Sequence, residues 1–440
     1  MKFISTRVGS ATGKTSVSFR EAVFSGLAPN GGLYVPMEQP DLSERIVAFS
    51  RQTSFQELSA SVMGALIGEE LSREAVLRVC EQAFSFEPVI KRLDDTLSLL
   101  ELFHGPTCAF KDFGASFLAS IMEEFLRQES RRTVVLVATS GDTGSAVARA
   151  FHGKQSIKVV ILYPSGRVSA LQEQQLTTLG GNVSALEIQG SFDDCQRLVK
   201  QAFVDARLSQ SLSLSSANSI NLGRLLPQAL YYFYGYLQLE RKDNERLMFC
   251  VPSGNFGNLT AGVYAWLWGM PVEGFIAATN VNDVVPEYLK TGEFRPRPSL
   301  KTISNAMDVG HPSNFERLVV VFGGSAKRMR KCIKGVRITD QETLQTMHRV
   351  YQDSGILLDP HTAVGVLAAR KYRRDSRFGG QILCLATAHP GKFVDIVQKA
   401  TGVTPELPAT LKEALAKEKR ATLLKPNLKQ LEAFLLDRFL

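Results

Sequence analysis

From residue 89 onward the chain alternates between short runs that are almost wholly apolar and longer stretches where apolar residues return every three or four positions. Apolar runs at 97–102, 133–138, 157–163, 247–251, 273–278, 318–322 and 381–387 read as strands, and the stretches between them as helices. Such alternation predicts an α/β fold with mainly parallel sheets. The first 88 residues follow another pattern: helical spacing in Phe55 to Ile67 and Arg73 to Phe84 predicts a largely helical, cap-like N-terminal unit, residues 1–88. Near the other end Pro405 and Pro408 interrupt the chain before a charged, amphipathic tail, Leu411 to Leu440, expected to form helices on the outside. No internal repeat or low-complexity linker is visible.

One polar position stands out against this pattern. Lys111 lies between Phe110 and Phe113 in the segment His104-Gly105-Pro106-Thr107-Cys108-Ala109-Phe110-Lys111-Asp112-Phe113-Gly114. The run 97–102 precedes it, and Phe113, Phe117, Leu118, Ile121, Met122, Phe125 and Leu126 then recur with helical spacing, which puts the lysine on a turn that opens a helix. An amine partly shielded there binds its proton less tightly and serves as a nucleophile or base. A surface lysine near a helix start fits the same residues, so the segment alone leaves both readings open.

Turns rich in glycine and hydroxyl groups follow several predicted strands, where backbone N–H groups can surround a phosphate. Thr139-Ser140-Gly141-Asp142-Thr143-Gly144-Ser145 runs into a small-residue helix, Ala146 to Phe151. Pro252-Ser253-Gly254-Asn255-Phe256-Gly257-Asn258 precedes a helix from Leu259 to Trp268 and is the better cradle. Its glycines, Gly254 and Gly257, are expected to adopt backbone angles closed to other residues. A third stretch, Ser215-Ser216-Ala217-Asn218-Ser219-Ile220-Asn221-Leu222-Gly223-Arg224, combines neutral donors with one guanidinium, which suits a phosphate monoester. It also suits a helix cap before Leu225 to Leu239, and the two readings are compatible.

Together with Thr387-Ala388-His389-Pro390 these motifs resemble the threonine synthase family of pyridoxal-phosphate enzymes, with a tryptophan-synthase-β-like fold. The resemblance spans nearly the whole chain, including Ile4-Ser5-Thr6-Arg7 and Gly26 to Pro36, which look like that family's extra N-terminal region. It implies pyridoxal 5'-phosphate as cofactor, bonded covalently to Lys111. Asp142, Ser253, Gly254, Asn255, Phe256, Gly257, Asn258 and Thr387 are its other implied contacts, the 254–258 loop holding its phosphate and Thr387 its pyridine nitrogen. Ser140, Thr143, Asn218, Ser219 and Arg224 are implied to receive the substrate phosphate. The implied substrate is O-phospho-L-homoserine, converted with water to L-threonine and phosphate. Asp142 departs from the wider fold, which often carries Asn beside the cofactor's phenolic oxygen; two anions there repel, so Asp142 is expected to be protonated or turned toward backbone donors. The resemblance also implies a large cofactor domain, residues 89–112 and 215–395, a smaller mobile domain at 113–214, and a C-terminal extension at 396–440.

Composition fits a metabolic enzyme: 440 residues, 44% hydrophobic and 21% charged, are ample for more than one core. The net charge of +8 is scattered, with modest clusters at Lys327 to Lys334 and Arg370 to Arg377. Solvated faces explain it better than nucleic acid, and phosphate-bearing ligands benefit from positive potential. No apolar run approaches the ~18 residues of a membrane helix, so neither a nucleic-acid nor a membrane partner is expected, and the location is expected to be cytoplasmic. Six cysteines, at 80, 108, 195, 250, 332 and 384, form no CxxC pair and are expected to be reduced, with Cys108 lining the pocket. The histidines have no metal-binding spacing, so no metal is expected. His104 and His389 are assigned to the pocket, and His152, His311, His348 and His361 to structure. Gly9-Ser10-Ala11-Thr12-Gly13-Lys14-Thr15 mimics a nucleotide P-loop but is one residue short of it. Two other functions use the same features less completely: a phospho-lyase releasing 2-oxobutyrate, and a noncatalytic scaffold, which needs neither Lys111 nor the phosphate-type loops.

Overall fold

The computed structural model describes residues 1–7, 16–127, 129, 132–139, 141–242 and 244–439, with the backbone alone at 209. The P-loop mimic at 9–15 and Ser140 lie outside the described residues. Strand β1 (Phe3–Ser5) pairs antiparallel with β2 (Tyr34–Pro36), and the helices Phe19–Ser25, Ser43–Ala48, Phe55–Ile67 and Arg73–Ala83 complete the N-terminal unit. The Phe55–Ile67 helix begins where predicted because Ser54 and Glu57 form a reciprocal capping box. Its apolar face carries Phe55 into an aromatic cluster with Phe84, Phe113 and Tyr234, at centroid distances of 4.9, 5.4 and 5.3 Å. Phe113 is two residues from Lys111, so the N-terminal unit buttresses the lysine helix directly.

Strands β3 (Val89–Arg92) and β4 (Leu97–Glu101) then form an antiparallel pair. Four strands follow in a second sheet: β5 (Thr133–Ala138), β6 (Ile157–Pro164), β7 (Val183–Ile188) and β8 (Leu214–Ser216). The chain returns to the first sheet with β9 (Leu247–Pro252), β10 (Gly274–Thr279), β11 (Ile333–Arg337) and β12 (Gln381–Ala386). Near the end, β13 (Thr422–Leu424) joins the smaller sheet. The large sheet has the order β11-β10-β9-β12-β4-β3 and is parallel except for β3; the small sheet has the order β13-β7-β6-β5-β8 and is parallel throughout. The central strands β5 and β9 are buried at every position, which is why their sequences read as unbroken apolar runs.

The differences from the sequence expectation have local causes. The apolar run 318–322 is not a strand but the end of the helix Phe315–Val321, which buries Phe315, Arg317 and Leu318 and leaves Val320 40% exposed. A run that short carries no period that tells a strand from a helix turn. The edge strand β11 went unpredicted because only Ile333 of its residues is buried, so it carries neither an apolar run nor a clean alternation. The tail is not helical throughout: it contributes β13 alongside β7 before the helix Leu428–Phe439 docks through Leu431 and Leu435. Among the described residues no helix is long and apolar enough to cross a membrane.

Parallel sheets place ligand sites at the carboxyl ends of their strands. Lys111 follows β4, Ser253 follows β9 and Thr387 follows β12, three neighbours in the large sheet. Asp142 and Asn218 follow β5 and β8, neighbours in the small one.

Candidate active site

Lys111 is the first residue of the helix Lys111–Leu126. Its loop is sewn to the segment after β12: the Phe110 N–H donates to the Thr387 carbonyl at 2.9 Å, and the His389 N–H donates to the Cys108 carbonyl at 3.0 Å. Two strands distant in sequence therefore fix the lysine and Thr387 together. The Lys111 side chain is 15% exposed, with Nζ 5.0 Å from the centre of the Phe110 ring. Phe113, the other flanking ring, points away into the core. Burial lowers the pKa of the amine; Asp142 opposes this, while Lys392 and Arg224 add to it.

Asp142 opens the helix Asp142–Phe151, with the half-buried Thr143 next to it. Its oxygens meet side chains rather than the expected backbone donors. Lys392 Nζ lies 2.9 Å from Oδ1, Gln172 Nε2 donates to Oδ1 at 3.1 Å, and Lys111 Nζ approaches Oδ2 at 3.4 Å. Burial disfavours the charge, but Lys392 and then Lys111 outweigh it and hold the carboxyl well below the ordinary range, so Asp142 is ionised rather than protonated. Lys392 was missed in the sequence. The signal was the one that marked Lys111: a lone lysine between Gly391 and Phe393, just past the Thr387 to Pro390 motif.

The loop after β9 differs from expectation in an instructive way. Neither Gly254 nor Gly257 has a positive φ; the left-handed residue is Phe256, at φ 60°. Gly254 is required for space instead, because a Cβ there would lie 2.7 Å from Met307 Cα and 2.9 Å from the Ala306 carbonyl oxygen. Side chains brace the loop from within. Ser253 Oγ donates to Asn258 Oδ1 at 2.6 Å, Asn258 Nδ2 to the Pro252 carbonyl at 2.9 Å, and Asn255 Nδ2 to Ser219 Oγ at 2.7 Å. The N–H groups of Gly254, Asn255 and Phe256 have no partner among the described residues, and they stand before the first turn of the helix Gly257–Leu267. That arrangement holds an anion through the backbone, with the side chains as its frame. Gly254→Ala is expected to displace the 306–307 turn and weaken cofactor affinity by at least ~10-fold, equivalent to roughly 1.4 kcal/mol. Titration of the variant with pyridoxal phosphate checks this.

The Asn255–Ser219 bond joins this loop to the third motif. Arg224 is buried in the short helix Leu222–Leu225, where Nη1 donates to the Ala217 carbonyl at 2.9 Å and Nε has no partner. Among the described residues no carboxylate pairs with it, and burial pushes its pKa down to about 10 against a counter-pull from Asp112. A buried guanidinium without a counter-ion is costly unless an anion completes it. Asn218 and Thr143 follow the adjacent strands β8 and β5, and among the described residues no hydrogen bond occupies either side chain. A second buried arginine, Arg317, was also missed in the sequence. It donates to the carbonyls of Tyr34 at 2.9 Å and Ile220 at 2.7 Å, clamping the phosphate-type stretch to the N-terminal unit.

Asp112 braces the lysine turn. Its carboxylate accepts from the Thr107 N–H at 2.8 Å and from Thr107 Oγ1 at 2.6 Å. Burial pushes its pKa up to about 6 in spite of those bonds and of Lys392. Unfolding releases the carboxyl to its ordinary value near 3.8. Between the two values the unfolded chain binds fewer protons, so stability falls as pH rises from about 4 to about 6, by roughly 2–3 kcal/mol in all. Asp112→Asn keeps both Thr107 contacts, the hydroxyl turning to accept. Urea unfolding of that variant is expected to lack this slope.

His104, Cys108 and His389 line a cleft of about 750 Å³ beside the lysine loop. All six cysteines are free and buried. Among the described residues no group of acidic, histidine or cysteine side chains is placed to hold a metal. His361 supports the site from behind: Nδ1 meets Asp359 at 2.8 Å and Nε2 accepts from the Ala306 N–H at 3.1 Å, steadying the turn against Gly254.

A desolvated lysine, amides at a helix start and a Thr387 hydroxyl that have no partner among the described residues fit the aldehyde, phosphate and ring nitrogen of pyridoxal phosphate. The fold and the site together define a pyridoxal-phosphate-dependent enzyme. The family model described as "Pyridoxal-phosphate dependent enzyme" matches residues 90–388, flanked by "Threonine synthase N terminus" at 2–84 and overlapped by "Threonine synthase, C-terminal" at 362–435. The threonine synthase of Escherichia coli (strain K12) is 43% identical over 397 residues, 90% of this chain and 91% of the relative. A pyridoxal-phosphate-bound threonine synthase from Brucella melitensis superposes with a TM-score of 0.91 at 38% identity, covering 99% of this chain and 98% of that one. The yeast threonine synthase structure gives 0.90 at 32% identity, covering 99% and 98%. The chain belongs to the threonine synthase family.

Proposed function

We propose that the protein converts O-phospho-L-homoserine and water to L-threonine and inorganic phosphate. The observation that carries this reading is Arg224, buried without a carboxylate partner among the described residues and close enough to Lys111 to depress its proton affinity. A phosphate-bearing amino acid supplies the missing charge and brings its Cα to the amine. Bound pyridoxal phosphate supplies the electron sink for charge that develops on the substrate carbons. Lys111, with its pKa lowered, takes the Cα proton and then moves protons at Cβ, which a neutral amine can do and a guanidinium cannot. Arg224, Asn218, Ser219 and Thr143 hold the phosphate as it leaves Cγ, and we assign Ser140 to the same group by resemblance. The released phosphate, kept there, assists proton transfer from water adding at Cβ. A cytoplasmic location is inferred from the six unpaired thiols.

A product assay tests the reading: O-phospho-L-homoserine is expected to yield threonine and phosphate in equal amounts. Release of 2-oxobutyrate as the main product would identify a phospho-lyase using the same lysine and phosphate pocket.

A further inference from the structure

Lys392 lies in the short turn Pro390–Lys392, its side chain 1% exposed. Its ammonium donates to the Thr107 carbonyl at 2.8 Å and pairs with Asp142 Oδ1 at 2.9 Å. Lys111 has only the longer contact, 3.4 Å to Oδ2 of the same carboxylate. Two buried amines thus share one counter-ion, and the residue outside the proposed chemistry has the better half. The sharing matters because a carboxylate devoted to Lys111 in a poorly hydrated site would hold a proton on its amine. We propose that Lys392 is a positioning residue that prevents this, taking the stronger contact with Asp142 and placing a second positive charge beside Lys111 so that the Lys111 amine can release its proton. The inference deepens the proposed function and rests on Lys111 being its reactive amine.

The other titratable groups around the two lysines are Arg224 from its own short helix, Asp112 beside Lys111, and the Cys108 thiol and His389 imidazole near Lys392, both of which burial pushes toward the neutral form. Arg224 acts on Lys111 in the same sense as Lys392, and Asp142 in the opposite sense. Gln172 bonds the same Asp142 oxygen without charge, so it orients the carboxylate but leaves the balance to Lys392.

The test is the proton affinity of Lys111 in the full-length chain freed of cofactor, read as the pH dependence of its reductive methylation by formaldehyde and borane, followed by peptide mass mapping. Lys392→Met is expected to raise the Lys111 midpoint by at least about one pH unit, and Asp142→Asn to lower it. A purely structural Lys392 would change the melting temperature but leave the midpoint in place, and that result overturns the proposal. Should Lys392→Met fail to fold because Asp142 has lost its closer cation, the comparison moves to Asp142→Asn against Asp142→Asn/Lys392→Met, which removes the carboxylate from both. The same upward shift is expected there, and its absence is equally fatal. Borohydride trapping of the holoenzyme separates the two levels: a pyridoxyl tag away from Lys111 refutes the functional reading, while a tag on Lys111 with an unmoved midpoint refutes only the role of Lys392.

Discussion

Lys111→Ala is expected to lose turnover by at least the ~10²–10⁴-fold typical of removing a positioned acid–base group, and to lose covalent attachment of the cofactor outright. The chain should remain folded, because Asp142 keeps its closer partner, Lys392, and its bond from Gln172. Its melting temperature should not fall by more than a few degrees, since the variant also removes an amine whose pKa burial has lowered and whose charge therefore works against folding at neutral pH. Lys111→Arg makes the discriminating comparison. It preserves a cation near Asp142 but supplies a group that neither condenses with an aldehyde nor gives up its proton at working pH. Equal loss in both variants assigns the effect to amine chemistry rather than charge. Borohydride reduction followed by peptide mapping should find the pyridoxyl tag at residue 111 in the parent and no tag in either variant. Arginine at 111 retaining a tenth of parental turnover would contradict the assignment.

Arg224→Ala should reduce kcat/KM for the phosphorylated substrate by about 30- to 1000-fold, the consequence of losing a buried charged contact worth roughly 2–4 kcal/mol. The stability of the unliganded protein should move little or upward, because the guanidinium is buried with one bond to the Ala217 carbonyl and no carboxylate. Inorganic phosphate provides a readout independent of turnover. It should raise the melting temperature of the parent by binding the folded state, and the variant should have lost that response. Arg224→Lys should recover part of the affinity, having the charge but not the planar fork. Parental kcat/KM in Arg224→Ala would remove Arg224 from the phosphate site and take the main support from the proposed function.

Several parts of the site were legible because they are local. The Lys111 helix, the loop from Ser253 to Asn258 and the Thr387 segment each announce themselves by a strand-like run, a turn chemistry and a helical period within a few residues. Expectations failed where the deciding neighbour is remote in the chain. Gly254 looks like a residue chosen for unusual backbone angles, yet Phe256 adopts them, and Gly254 is small because the 306–307 turn lies against it. The acid at Asp142 looks troublesome until Lys392 is seen beside it. Arg317 sits just before the apolar run 318–322 read as a strand, and only folding shows that it binds Tyr34 and Ile220.

Periodicity and turn residues, which depend on near neighbours, were enough to establish the layered α/β architecture, the lysine at a helix start and the phosphate-type loops. Which charges face one another is another matter. Bringing Lys392 to Asp142, leaving Arg224 without a carboxylate and threading the tail's strand beside β7 required the chain to close on itself. Electrostatic contacts and close packing act through space at a few ångströms, a distance that spacing along the sequence does not encode.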